Sequence, residues 1–258
     1  MSGAHSHGTT VGSLVVGGGS PVHRLAPEAK VVALVVLVFT VAVTPRTSMW
    51  AFGVYASLVI AVALMARLPV KVLLSRLSVL TPFVIFAVLI PFVAGGEKTD
   101  VWGLSLSVEG LWATWNILAK ASIGATASIV LSATTAVPDV LAALTRLKVP
   151  RVLVSIVAFM LRYLDLLVQQ LGRMRTSMVA RCHDPRWLWQ VKPIASSAGA
   201  LFVRSYERGE RIHQAMLARG YTGSMPDLDQ RSATSADWVR AMVVPMAAVV
   251  TLVAVMVR

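Results

Sequence analysis

Five apolar runs recur along this chain at close to membrane-crossing length, and they constrain the fold more than any other feature. They are Val31–Val43, Met49–Met65, Leu77–Ala94, Leu111–Thr134 and Ala241–Val257. A hydrocarbon core of about 30 Å takes about 20 helical residues, so the shortest run, Val31–Val43, is expected to place its ends at the interface. The third carries Pro82 and Pro91, which remove backbone donors and are expected to bend it. With 56% hydrophobic and 14% charged residues and a mean hydropathy of +0.72, the chain lacks the polar surface a soluble domain needs. The expectation is an all-α integral membrane protein of about five transmembrane helices.

Charge orients it. There are 24 Lys and Arg against 12 Asp and Glu, a net of +12. From Asp139 to Arg240 lie 15 basic and 8 acidic residues, so most of the surplus sits in one long stretch between apolar runs. That is where an inner-membrane protein carries its cytoplasmic region, and it argues for lipid and protein partners rather than nucleic acid. In the short loops, Arg24 and Lys30 stand on one side, Arg46 opposite, Arg67, Lys71 and Arg76 on the first side again, and Lys98 opposite. The basic side is cytoplasmic by this pattern, with the N-terminus inside and the chain multi-pass in a bacterial or archaeal cell membrane.

The organisation that follows is a flexible tail over 1–22, membrane helices over 23–137, a cytoplasmic helical module over 138–236 and a last membrane helix over 237–258. The tail, MSGAHSHGTTVGSLVVGGGSP, lacks the basic start and apolar core of a cleaved signal. Its His5 and His7 read as a solvated pair. Gly95–Asp100 reads as a mixed-charge turn. Lys120, inside the fourth run and about three turns from Glu109, has two readings: a cation lining a transport path, or one packed against other protein segments.

Within the basic module, residues 151–182 run without proline, and the spacing predicts an amphipathic helix with Leu164, Leu167, Leu171, Met174 and Met178 on one face. The first half, Val152–Leu161, is apolar enough to lie in or against the membrane, and His183-Asp184-Pro185 ends the helix. A further helix is expected from about Pro193 through Ala218, with Glu207 and Arg211 four apart and Gly220 placed to end it.

The ends of these two helices repeat one phrase. RMRTSMVARC (173 to 182) and RIHQAMLARG (211 to 220) agree at Arg173/Arg211, Met178/Met216, Ala180/Ala218 and Arg181/Arg219. Alanine lets a helix tip approach a groove wall, methionine adapts to an irregular apolar pocket, and arginine offers a planar fork for carboxylates or carbonyls. A single such tip is more simply explained by helix-dipole complementation or lipid phosphates. Two copies point to a duplicated socket on a dimeric partner.

Catalytic chemistry is not visible. There is no phosphate-binding G-x-x-x-x-G-K-[ST], no H-E-x-x-H and no G-x-S-x-G, and Cys182, the only cysteine, sits beside His183 on a helix where adjacent side chains diverge. The chain reads as a non-enzyme with no catalytic residue, no metal site and no cofactor of its own.

With these residues in view, the chain resembles the transmembrane T component of energy-coupling factor (ECF) transporters, cobalt-type CbiQ family. The similarity runs from His23-Arg24-Leu25 to the last membrane segment, and its most specific parts are Thr134-Thr135, LTRLKVP (144 to 150), LRY (161 to 163) and above all ERGERIHQAMLARGYTG (207 to 223). The resemblance implies long coupling helices whose two Ala-Arg-Gly signatures dock into two ABC-type ATPase subunits, which bind ATP and Mg. The second signature is Ala218, Arg219 and Gly220. The first is Ala180, Arg181 and Cys182, departing at its third position, and Met178 and Met216 support the docking face. It also implies a substrate-binding membrane S component and uptake of a substrate expected to be cobalt ion. A stand-alone permease or channel is the alternative.

Overall fold

The computed structural model describes residues 19–93, 95, 98–101, 104–181, 192–223 and 233–257. His5, His7, Cys182 and His183-Asp184-Pro185 lie outside the described residues. The chain divides into two compact units, one built from Gly12–Ala143 with Gln230–Arg258 and the other from Leu144–Asp229 with Met1–Val11. It is an all-α multi-pass membrane protein, with one short pair of strands among the described residues.

In the first unit, α1 (Pro21–Arg24) precedes α2 (Pro27–Val43), which opens on Pro27 where a missing N–H costs nothing. This helix begins a turn before the apolar run and closes on Thr44, whose hydroxyl donates to the Thr40 carbonyl (2.8 Å). The second run forms α3 (Met49–Met65). The basic stretch expected as a loop before the third run is itself helical, as α4 (Val70–Leu77); the run then passes a 3-10 turn at Ser78–Leu80, just ahead of Pro82, and continues as α5 (Thr81–Val93), which runs on through Pro91. Pro82 falls in the first turn of α5. Pro91 lies inside it, and the carbonyl that its absent N–H leaves free, that of Ala87, accepts instead from the Thr114 hydroxyl at 2.7 Å.

Gly95–Asp100 is more than a turn: Lys98–Val101 (β1) pairs antiparallel with Leu104–Ser107 (β2). The alternation is too brief and too mixed in charge to stand out in the sequence. Ser107 then caps α6 (Val108–Thr134), accepting from the Gly110 N–H. The last helix of this unit, α10 (Ser235–Val257), starts in a capping box: Thr234 Oγ1 accepts from the Asp237 N–H (3.4 Å), and Asp237 Oδ2 accepts from the Thr234 N–H (3.2 Å).

The core of this unit lies where α2, α3, α6 and α10 meet. Ala51, Ala127 and Ala248 sit at the crossings, with Leu37, Val41, Val59 and Ile123 around them. Small residues let helices approach where hydrophobic exclusion from water is not available as a driving force. Tyr55, fully buried, meets Phe52 edge to face at 6.2 Å and shares a 3.1 Å hydrogen bond with Thr44 Oγ1.

The second unit is reached through α7 (Val137–Arg146), and consists chiefly of α8 (Arg151–Ala180) and α9 (Lys192–Ala218). Among the described residues, Val70–Val93, Val108–Thr134, Arg151–Ala180 and Ser235–Val257 are long and apolar enough to cross a membrane, and Met49–Met65 is a shorter apolar helix. The length and hydropathy of α8 thus match those of a span as well.

Candidate functional site

Helices α8 and α9 are built for each other along one stripe apiece. On α8, Phe159, Tyr163, Leu167, Gln170, Met174 and Met178 form a half-buried stripe spaced 4, 4, 3, 4, 4, with Val154, Ser155, Leu161 and Asp165 half-buried beside it. The half-buried positions on α9, Ser197, Leu201, Ser205, Arg208, Ile212 and Met216, have the same spacing. The Ser197 hydroxyl reaches Met178 Sδ at 3.7 Å. From that point the stripes run antiparallel in register, and Phe159 and Met216 at the far end line one cavity of about 350 Å³. The ring of Phe159 stacks on that of Tyr163, centroids 6.4 Å apart.

This corrects the expected face of α8. Leu164 and Leu171 point away, 39% and 47% exposed, and Tyr163 and Gln170 take their places against α9. Both leucines satisfy a helical period equally well, so spacing alone did not separate the two faces. No residue of α8 is fully buried.

The repeated phrases end up at opposite ends of the pair. At 1.5 Å per residue, the run from Ser197, beside the first tip, to Ala218 in the second spans about 32 Å. The two tips agree position by position. Met174/Ile212 and Met178/Met216 are half-buried and turn inward, while Ala180/Ala218 and Arg181/Arg219 are exposed. The aliphatic residue between them is exposed on both, Val179 at 57% and Leu217 at 54%. These two were not among the expected site residues, although the duplication already aligned them. Each tip therefore presents an aliphatic side chain, an alanine and an arginine, and anchors itself through its methionine.

The two ends close differently. Gly220 has a φ of 81°, its N–H donates to the Leu217 carbonyl (3.0 Å), and the Tyr221 N–H reaches back to the Met216 carbonyl (3.0 Å). This is the doubly bonded Schellman cap that needs a left-handed residue. At the first tip, Arg181 adopts φ −93° and ψ 20°, and its N–H donates to the Met178 carbonyl (3.1 Å). The same left-handed cap recurs without glycine at Arg67 (φ 53°) and Lys148 (φ 63°). There the Leu68 N–H donates to the Ala63 carbonyl, and the Val149 N–H to the Leu144 carbonyl. Lys148 lies in the LTRLKVP stretch.

Glu207 and Arg211 stand 3.9 Å apart on the exposed face of α9, an arrangement worth little in water. Among the described residues no group of three or more His, Cys, Asp or Glu side chains stands together to hold a metal ion.

In the other unit, Lys120 donates to the Ala42 carbonyl at 2.7 Å. That carbonyl belongs to the last turn of α2, which lacks intrahelical donors, so the ammonium closes a helix end. Thr134 and Thr135 are both buried, and both accept from Lys30, through the Thr134 carbonyl (3.0 Å) and Thr135 Oγ1 (3.1 Å).

Residues 18–228 match a protein family described as CbiQ, cobalt transport protein. The chain belongs to the CbiQ family. The matched stretch includes both tips, Thr134-Thr135 and the Lys148 cap, and stops short of α10. Among curated relatives, the cobalt transport protein CbiQ of Rhodobacter capsulatus is 29% identical over 134 residues, covering 52% of this chain and 54% of that protein. The energy-coupling factor transporter transmembrane protein EcfT of Thermotoga maritima is 22% identical over 218 residues, covering 80% and 79%. The EcfT of Ruminiclostridium cellulolyticum is 25% identical over 233 residues, covering 83% and 84%. CbiQ-family membership, the helical membrane fold and relatives that are transport components together make this chain a transport protein of the membrane.

Proposed function

We propose that the chain is the transmembrane coupling subunit of an ATP-driven ECF-type uptake transporter, taking up cobalt ion. The observation that carries this reading is the pair of like tips at opposite ends of α8 and α9, about 32 Å apart, each ending in an exposed aliphatic residue, alanine and arginine. Two equal plugs on one chain suit two equal sockets, and a pair of ABC-type ATPase subunits supplies them. Ala180, Arg181 and Cys182 form one docking tip, and Ala218, Arg219 and Gly220 the other. Val179 and Leu217 join them as the apolar part of each plug, with Met178 and Met216 behind. ATP and Mg are bound by the ATPase subunits, and this chain binds no cofactor and performs no catalysis.

The exposed apolar side of α8, including Val152, Leu153, Ile156 and Met160, supports a membrane-embedded partner for that helix, the substrate-binding S component. The tips and the N-terminus are cytoplasmic in this reading, in accord with the basic residues of the loops. Cobalt as the substrate draws on the family description and the Rhodobacter relative's name. For the alternative, a stand-alone permease, Lys120 would have to line a path, whereas its ammonium is engaged by the Ala42 carbonyl.

The test is the double variant Arg181→Glu/Arg219→Glu, co-expressed with the ATPase and S subunits. Loss of the ATPases from the purified complex is expected, together with loss of cobalt uptake. Full assembly and uptake by the double variant would refute docking through these tips.

A further inference from the structure

The segment that carries both tips leaves the membrane-helix unit through α7, which follows α6 shortly after Thr135, and rejoins it just before α10. Both attachment points are held by the first turn of α2. Lys30, 8% exposed, donates to the Thr134 carbonyl and to Thr135 Oγ1 at the exit, and its third contact is the His23 carbonyl at 3.5 Å. An ammonium has three protons to donate, and each has an acceptor here. Glu28, 6% exposed, accepts through Oε1 from the backbone N–H of Ala233 at the return, one residue before the capping box of α10.

Two positions two apart on a helix point to opposite sides, so one turn of α2 grips α6 with one residue and the start of α10 with the other. The signs fit the helix ends they meet. The Thr134 carbonyl belongs to the C-terminal turn of α6, the negative end of its dipole, and Ala233 precedes the positive end of α10. Burying two ions costs more than burying neutral groups of similar reach, so packing alone does not account for the choice.

We propose that Lys30 and Glu28 form a two-point clasp which fixes both roots of the tip-bearing segment to α2, so that displacement of the tips drives the membrane helices instead of being absorbed in the connecting chain. This rests on the coupling role proposed above. Lys30 and Glu28 are positioning residues in it. They touch neither the ATPases nor the substrate, and their loss separates ATP hydrolysis from uptake without separating the subunits.

The experiment uses the whole complex in proteoliposomes, with cobalt uptake and ATP hydrolysis measured on the same preparation. Lys30→Met and Glu28→Ala are expected to leave subunit composition and ATP hydrolysis in place while uptake per ATP falls about fivefold or more, the low end of measured couplings between sites. Lys30→Arg and Glu28→Gln, which keep a donor and an acceptor, are expected to restore most of the ratio. Should Lys30→Met fail to fold, Thr135→Val removes a single acceptor from the clasp and is expected to lower the ratio in the same direction.

An unchanged ratio in assembled complexes would overturn the clasp. So would loss of assembly in every variant, because the two charges would then serve folding and not transmission. Failure of the underlying coupling role shows separately, as intact assembly of the Arg181→Glu/Arg219→Glu protein.

Discussion

Pro91 and Thr114 offer a double-mutant cycle whose outcome is set by one carbonyl. In an unbroken helix the Ala87 carbonyl would accept from the N–H of residue 91, and proline has none. Ala87 is fully buried, and the Thr114 hydroxyl of α6 fills the gap at 2.7 Å. Thr114→Val keeps the shape of the side chain and removes the donor, leaving a buried carbonyl without a partner. Side-chain hydrogen bonds between membrane helices average about 0.6 kcal/mol and reach about 1.7. A short bond to an otherwise unpaired acceptor belongs at the upper end, so a loss of about 1 to 2 kcal/mol is expected. In a Pro91→Ala background the residue 91 N–H returns to Ala87, and the same Thr114→Val change is expected to cost less than about 0.5 kcal/mol. The coupling between the two positions is therefore about 1 kcal/mol. The assay is reversible unfolding in mixed micelles titrated with SDS and followed by tryptophan fluorescence, for the four proteins of the cycle. Equal costs of Thr114→Val in both backgrounds would show that the hydroxyl does not stand in for the missing N–H.

The left-handed caps make a paired prediction. Gly220→Ala meets open space around its new Cβ, so its cost is conformational alone, about 1 kcal/mol, while Lys148→Gly is expected to gain a similar amount; thermal unfolding that moves both variants the same way contradicts this. Lys120→Met is expected to lower the Tm by about 2 to 4 °C through the freed end of α2 while uptake by the assembled complex persists, and a folded complex without uptake would reinstate the path reading. Glu207→Ala removes an exposed ion pair worth less than about 0.5 kcal/mol, so a Tm shift beyond about 2 °C would mean that Glu207 has another partner.

The membrane helices were legible because hydropathy and length are local properties. Four of the five apolar runs are found within single helices, and the described part of the third crosses a 3-10 turn ahead of Pro82 before continuing as α5. The duplicated phrase was legible too, and it placed Ala180, Arg181, Ala218 and Arg219 at helix ends without any coordinates. The rotation of α8 was not. Tyr163 and Gln170 displaced Leu164 and Leu171 from the inner face because what counts there is the match to α9, and a stripe of polar and apolar residues with equal spacing on both helices leaves no contrast in hydropathy. Lys30 and Glu28 were hidden for another reason. Beside an apolar run, Lys30 reads as an ordinary interfacial charge, and its partners Thr134 and Thr135 lie over a hundred residues away. Those two threonines stood out only through resemblance, and the structure supplies the physical role that resemblance lacked.

The absence of any fully buried residue along the thirty of α8 bears on how the subunit lives before it meets its partners. With Val152, Leu153, Ile156, Val157 and Met160 all exposed and a span-like hydropathy, this side of α8 is surface for lipid or for a membrane-embedded protein. In the coupling role proposed above these two coverings compete, so a membrane-embedded partner has to displace lipid from α8 before it can dock.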